Sequence, residues 1–135
     1  MALIPWGPKY EIGIKSIDSQ HEKLVGYINQ LNDAMSEGKG SEIVELILKN
    51  LVEYTETHFV YEEKLFEAHD YSKEKEHRRL HSLLVQDVKD FKTKFENGDS
   101  ELTEEMMAFL KDWLENHILI EDKKYVTELK SKGVS

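Results

Sequence analysis

The chain has 135 residues, 39% hydrophobic and 33% charged, with a formal net charge of -9 and no cysteine. That length suits one compact domain, and the negative balance argues against a nucleic-acid binder or an anionic-membrane binder. Without cysteine there is no disulfide framework, no thiolate catalysis, and no zinc-finger or iron–sulfur site.

The opening "MALIPWGPKY" lacks the basic start and apolar run of a signal peptide, and no apolar stretch reaches the roughly 20 residues of a membrane span. A cytoplasmic protein without membrane insertion is expected. Both prolines, Pro5 and Pro8, fall in this stretch, so residues 1–17 read as an extended arm. Helical segments follow at about 18–36, 41–68, 72–96 and 103–130. Asp18 or Ser19 caps the first, which stops at "EGKG". The second runs from Ser41 to Ala68. The third starts near Ser72 and stops at "ENGD". Thr103 caps the fourth, with Glu104 and Glu105 in its first turn.

Each segment carries an apolar stripe at spacings of three and four. The stripes are Leu24, Val25, Ile28, Leu31 and Met35; Ile43, Ile47, Leu51, Tyr54 and Leu65; Leu80, Leu84, Val88, Phe91 and Phe95; and Met106, Leu110, Trp113, Leu114 and Ile118. Four amphipathic helices with short connections predict an all-α fold, an antiparallel up-down-up-down four-helix bundle with an extended N-terminal arm.

Polar residues interrupt those stripes. His21 precedes Leu24 by three. His58 and Glu62 continue the second stripe, His77 and His81 bracket Leu80, and His117 follows Trp113 by four. At about 100° per residue, side chains four apart differ by about 40° and one turn in height. His58/Glu62 and His77/His81 therefore project into the bundle as pairs. A single buried histidine is ordinarily a core residue with a satisfied ring. Five of the chain's 6 histidines, spread over all the helices, must instead satisfy one another in one core. A metal is the simplest common partner for imidazole and carboxylate. The heights agree, because the residues fall early, late, early and late on successive antiparallel helices. His69 lies at the end of the second helix, about three turns from His58, and reads as a surface histidine.

Such a donor set is too large for one ion. Two ions sharing two carboxylates and an oxo or hydroxo bridge use it better, and an uneven division of the histidines leaves one ion an open position for a small ligand.

The segments "IGIKSIDSQHEKL", "HFVYEE", "HRRLH" and "WLENHILIED" resemble, in order, those of the hemerythrin family, specifically single-domain bacteriohemerythrins, over nearly the whole chain. Myohemerythrin, a member of that family, is itself an up-down bundle. The resemblance implies a single hemerythrin-like domain over 1–135 with two iron ions per chain. It places His77, His81 and His117 on the saturated iron and His21 and His58 on the open one. Glu62, Asp122 and the oxo or hydroxo group form the bridge. It also places Leu24, Phe59, Trp113, Leu114 and Ile118 around an O2 pocket.

The implied function is reversible O2 binding for storage, transport or delivery, rather than enzymatic catalysis. An O2 or redox sensor acting through a separate partner remains an alternative. So does a di-iron oxidase or a peroxide- or nitric-oxide-reacting enzyme. A protein acceptor of O2 is open.

One position sets spacing against resemblance. His117 and Asp122 are five apart, about 140° out of phase in a regular helix, whereas Glu121 has the four-residue spacing. The family pattern names Asp122. Both hold if the helix widens into a π turn at residues 117–122, with Glu121 turned to solvent.

Overall fold

The computed structural model describes residues 3–38, 41–96 and 104–135, without the side chains of residues 41, 104–106 and 117–119. Four helical rods form the expected four-helix bundle: α1 (Lys15–Ser36), α2 (Ser41–Ala68), α3 (Glu74–Glu96), and a fourth rod of α4 (Glu104–Asn116), a π segment (His117–Asp122) and α5 (Lys123–Ser131). α1 packs on α2 and α4, and α2 packs on α3. No described helix is long and apolar enough to cross a membrane. The "ENGD" stop beyond Glu96 and the Thr103 cap lie outside the described residues.

Two helix starts differ from expectation. α1 begins at Lys15, and Asp18 does not cap it. The carboxylate sits in the first turn, where it favours the positive end of the helix, and it reaches back into the arm. The backbone N–H groups of Ile12 and Gly13 donate to its two oxygens at 2.7 and 3.1 Å. Gly13 makes this hook possible, with φ of 94°, a conformation that a side chain resists. A Cβ there would also stand 2.5 Å from Lys130 Nζ. α3 begins at Glu74 because Ser72 is committed elsewhere, its N–H and hydroxyl both donating to Glu128, at 2.7 and 2.5 Å.

The arm is docked rather than loose. Asn29 of α1 bonds Ile4 twice, accepting from its N–H at 2.8 Å and donating to its carbonyl at 2.9 Å. Ile4, Tyr10, Ile12 and Ile14 are buried. An Asp18→Ala chain is expected to lose about 1–2 kcal/mol, the net worth of charge-assisted bonds at a half-exposed site. Urea unfolding measures this, and an unchanged midpoint would mean that the hook contributes nothing.

One stripe needs correction. Ile43 is 47% exposed, while Val44, Leu48, Leu51, Thr55, His58 and Glu62 form the buried face of α2. The run "IVELILKNLV" is apolar on two phases, and spacing alone does not choose between them. Met35, Ile47, Tyr54, Leu65, Leu84 and Phe95 are only partly buried, packing at the margin of the core. The side chains of Met106 and Ile118 lie outside the described residues.

Candidate metal centre

Six polar side chains from α1, α2, α3 and the π segment converge in the middle of the core: His21, His58, Glu62, His77, His81 and Asp122, none more than 5% exposed. They form two overlapping groups. His21 and His58 make one with Glu62 and Asp122. His77 and His81 make the other with the same two carboxylates. Within each group, one donor atom per residue lies within 4.8 Å of the others. His117 begins the π segment, and its side chain lies outside the described residues. His69 is half-buried past the end of α2 and belongs to neither group.

The distances divide the two oxygens of Asp122 between the groups, whereas a single Glu62 oxygen faces both. Asp122 turns Oδ2 to His21 Nε2 at 2.7 Å and Oδ1 to His77 Nε2 at 3.1 Å. Glu62 Oε1 stands 3.2 Å from His58 Nε2 and 3.1 Å from His81 Nε2. Its other oxygen, Oε2, accepts from the Tyr125 hydroxyl. Tyr125 is fully buried in α5. Burial, reinforced by the Asp122 and Glu62 charges, holds its hydroxyl well above the usual tyrosine value, so it stays a neutral donor.

The outward ring nitrogens fix the inward ones. Glu63 is a carboxylate and can only accept, so His81 Nδ1 donates to it, at 2.9 Å. His58 Nδ1 meets the carbonyl oxygen of Gln20 at 2.6 Å and donates as well. Both rings consequently present Nε2 to the centre, and in the neutral ring that atom carries a lone pair. His21 Nε2 and His58 Nε2 are 3.1 Å apart. Lone pairs from imidazole and carboxylate thus point at one another inside a dry core, an arrangement that requires positive charge between them.

Burial pulls His58 down, but Glu62 and Asp122 together outweigh burial and leave it above its ordinary value. His21 falls below, because burial outweighs its bond to Asp122. A divalent cation can supply that positive charge, and all-N/O donors of this type suit iron. The donor set therefore fits metal ions, and Glu62 and Asp122 belong to both groups.

The π segment decides between Glu121 and Asp122. Residues His117–Asp122 form a widened turn, as the conflict between spacing and motif requires. Asp122 is fully buried. Glu121 is 31% exposed and accepts from Lys124 Nζ at 3.0 Å. After the extra residue the rod resumes its phase, which brings Tyr125 and Leu129 to the core.

Of the expected pocket residues, Leu24, Phe59, Trp113 and Leu114 are buried. Phe59 stacks on His81, with ring centroids 4.0 Å apart, and also lies 5.6 Å from His58. Trp113 donates its Nε1–H to the Leu84 carbonyl at 3.2 Å.

Sequence reasoning missed Gln20, Glu63 and Tyr125. Gln20 and Glu63 adjoin candidate ligands in the chain but sit about 100° off the buried stripe, where polar residues look solvated. Tyr125 lies eleven residues past Leu114, about 20° off in a regular helix, so its core position is legible while the bond of its hydroxyl to Glu62 is not.

Comparison with known proteins shows what the chain is similar to. The hemerythrin HHE cation binding domain matches residues 12–129. The chain is 35% identical over 126 residues to a bacteriohemerythrin of Pseudomonas aeruginosa, covering 93% of this chain and 81% of the relative. It is 32% identical to a bacteriohemerythrin of Methylococcus capsulatus, covering 93% and 95%. Among solved structures, wild-type hemerythrin superposes with a TM-score of 0.85 at 29% identity, covering 95% of this chain and 98% of that one.

Proposed function

The chain belongs to the hemerythrin family, and on that premise we propose that it binds O2 reversibly at a non-haem di-iron centre, for storage, transport or delivery. The observation that carries the reading is the pair of histidine groups sharing Glu62 and Asp122 in a buried core. His77 and His81 would hold one iron and His21 and His58 the other, with Glu62 and Asp122 bridging. His117 joins the first set on the family motif and its place at the head of the π segment. Two ferrous ions held there would supply the reducing equivalents for reversible O2 binding.

The rest of the work falls to the chain. Glu62 and Asp122 neutralise much of the metal charge in low dielectric. With His117 added on the family motif, the histidines would divide unevenly, and one ion would be left a position for a small neutral ligand. Leu24, Phe59, Trp113 and Leu114, buried beside the donor groups, would line that position with apolar surface, joined by Ile118 on the family motif, admitting O2 and excluding water and protons that would convert reversible binding into oxidation of the iron. No described side chain of that lining is an acid or base, which favours a carrier over an enzyme.

A Leu114→Ala protein is expected to keep its iron but to autoxidise at least severalfold faster, because water gains entry. Its fold should also lose about 2–5 kcal/mol for the cavity. Iron content, stopped-flow decay and denaturant unfolding measure the three effects. Unchanged autoxidation would remove Leu114 from the pocket. O2 titration of the reduced protein tests the function itself. A carrier passes through repeated oxygenation and deoxygenation cycles, an enzyme turns over, and a structural bundle takes up no O2.

A further inference from the structure

The two histidines with identified outer partners are backed unequally. His58 Nδ1 donates to Gln20, a neutral amide, at 2.6 Å. His81 Nδ1 donates to Glu63, a carboxylate, at 2.9 Å. Glu63 is itself clamped. Arg78 NH1 donates to its Oε1 at 3.1 Å and NH2 reaches its backbone carbonyl at 3.5 Å, while Arg78 Nε is anchored on Glu74 at 2.7 Å. Phe59 stacks on the His81 ring with an interplanar angle of 3°, so the ring is fixed in plane as well as in tautomer. The other face of this assembly is a groove of about 410 Å³ between α2 and α3, lined by Glu56, Phe59, Glu63, His81 and Lys89 among others.

From this asymmetry we propose that Glu63 is a positioning residue for His81 that makes one side of the metal pair the more electron-rich, with Arg78 setting how strongly it does so. An imidazole whose N–H is held by a carboxylate is a more basic donor than one held by an amide, because negative charge flows toward the ring as the proton is drawn outward. A more basic donor stabilises the ferric state of the ion it holds and lowers its potential. His58, on the amide, gives its ion less of that support. The two irons are then unequal through these outer partners as well as through their donor counts. Arg78 tempers the effect, since a guanidinium on Glu63 draws charge away from the His81 bond. The inference rests on the di-iron reading.

The test compares the iron-loaded wild type with Glu63→Gln, Arg78→Gln and Glu56→Gln. Glu56 lines the same groove and pairs with Lys89 at 2.9 Å, so its variant removes the same charge without touching an imidazole. Iron content, thermal unfolding and mediated redox titration are recorded for each. Glu63→Gln should raise the midpoint potential beyond any shift in Glu56→Gln. It should also shed iron to a chelator faster, by up to about 10–100-fold, the usual cost of losing an outer partner. Arg78→Gln should move the potential in the opposite direction. A residue that merely holds the helices together would move unfolding without these opposed shifts. Two irons per chain throughout, with Glu63→Gln shifting no more than Glu56→Gln, overturns the inference and leaves the di-iron reading standing. Potentials of Glu63→Gln and Arg78→Gln that move the same way also overturn it. A wild type without iron overturns both.

Discussion

His58→Ala and His81→Ala proteins, produced with iron supplied, are expected to lose the iron pair, whereas His69→Ala keeps it. Each lost ring removes a direct donor from a buried group that shares Glu62 or Asp122 with its neighbour. Removing only an outer partner of a metal ligand costs about 10–100-fold in affinity, so a missing ligand should cost at least about 100-fold. Glu62 Oε1 faces both His58 and His81, so under the proposed bridging the loss of either ring would weaken the hold on both ions. The variants should also be less stable, because removing one partner of a buried charged pair costs about 3–5 kcal/mol. His69 touches neither group, and its backbone N–H merely closes the last turn of α2 on Leu65. Iron analysis of the purified variants, with circular dichroism to confirm helicity, measures all three. About two irons per chain in His58→Ala would contradict the assignment.

The second large effect separates neighbours. Asp122→Asn should lose iron by at least about 100-fold in affinity, because the amide replaces one anionic oxygen of the bridge with an N–H₂ donor pointing at a cation. Glu121→Gln should change iron content little. It loses only a surface pair with Lys124, worth about 0–1 kcal/mol. Iron retained in Asp122→Asn and lost in Glu121→Gln would mean that the widened turn does not select the bridge.

That contrast also marks where the sequence is legible. His21, His58, Glu62, His77 and His81 could be placed by phase alone, because α1, α2 and α3 are regular and the 3.6-residue period carries unbroken from the apolar stripe to the polar interruption. Asp122 could not be placed this way. The π turn inserts a residue, and every position beyond it is displaced by about 100° from the extrapolated stripe. Motif resemblance supplied Asp122, and the conflict with spacing supplied the π turn. The α1 start was misplaced because Asp18 has a cap's chemistry but uses it on the arm, a contact that depends on the tertiary position of Gly13. Glu63 and Gln20 lie off the buried face, and their worth depends on a ring nitrogen that only the folded core orients toward them.

The most direct test of the di-iron O2-binding account is iron analysis joined to an optical spectrum of the same sample, taken anaerobically after reduction, then in air, then after O2 is removed. The account predicts about two irons per chain at every stage. It also predicts a visible absorption that appears in air and disappears when O2 is withdrawn. Protein made with iron supplied that contains none, or a spectrum that changes in air and never returns, would contradict it.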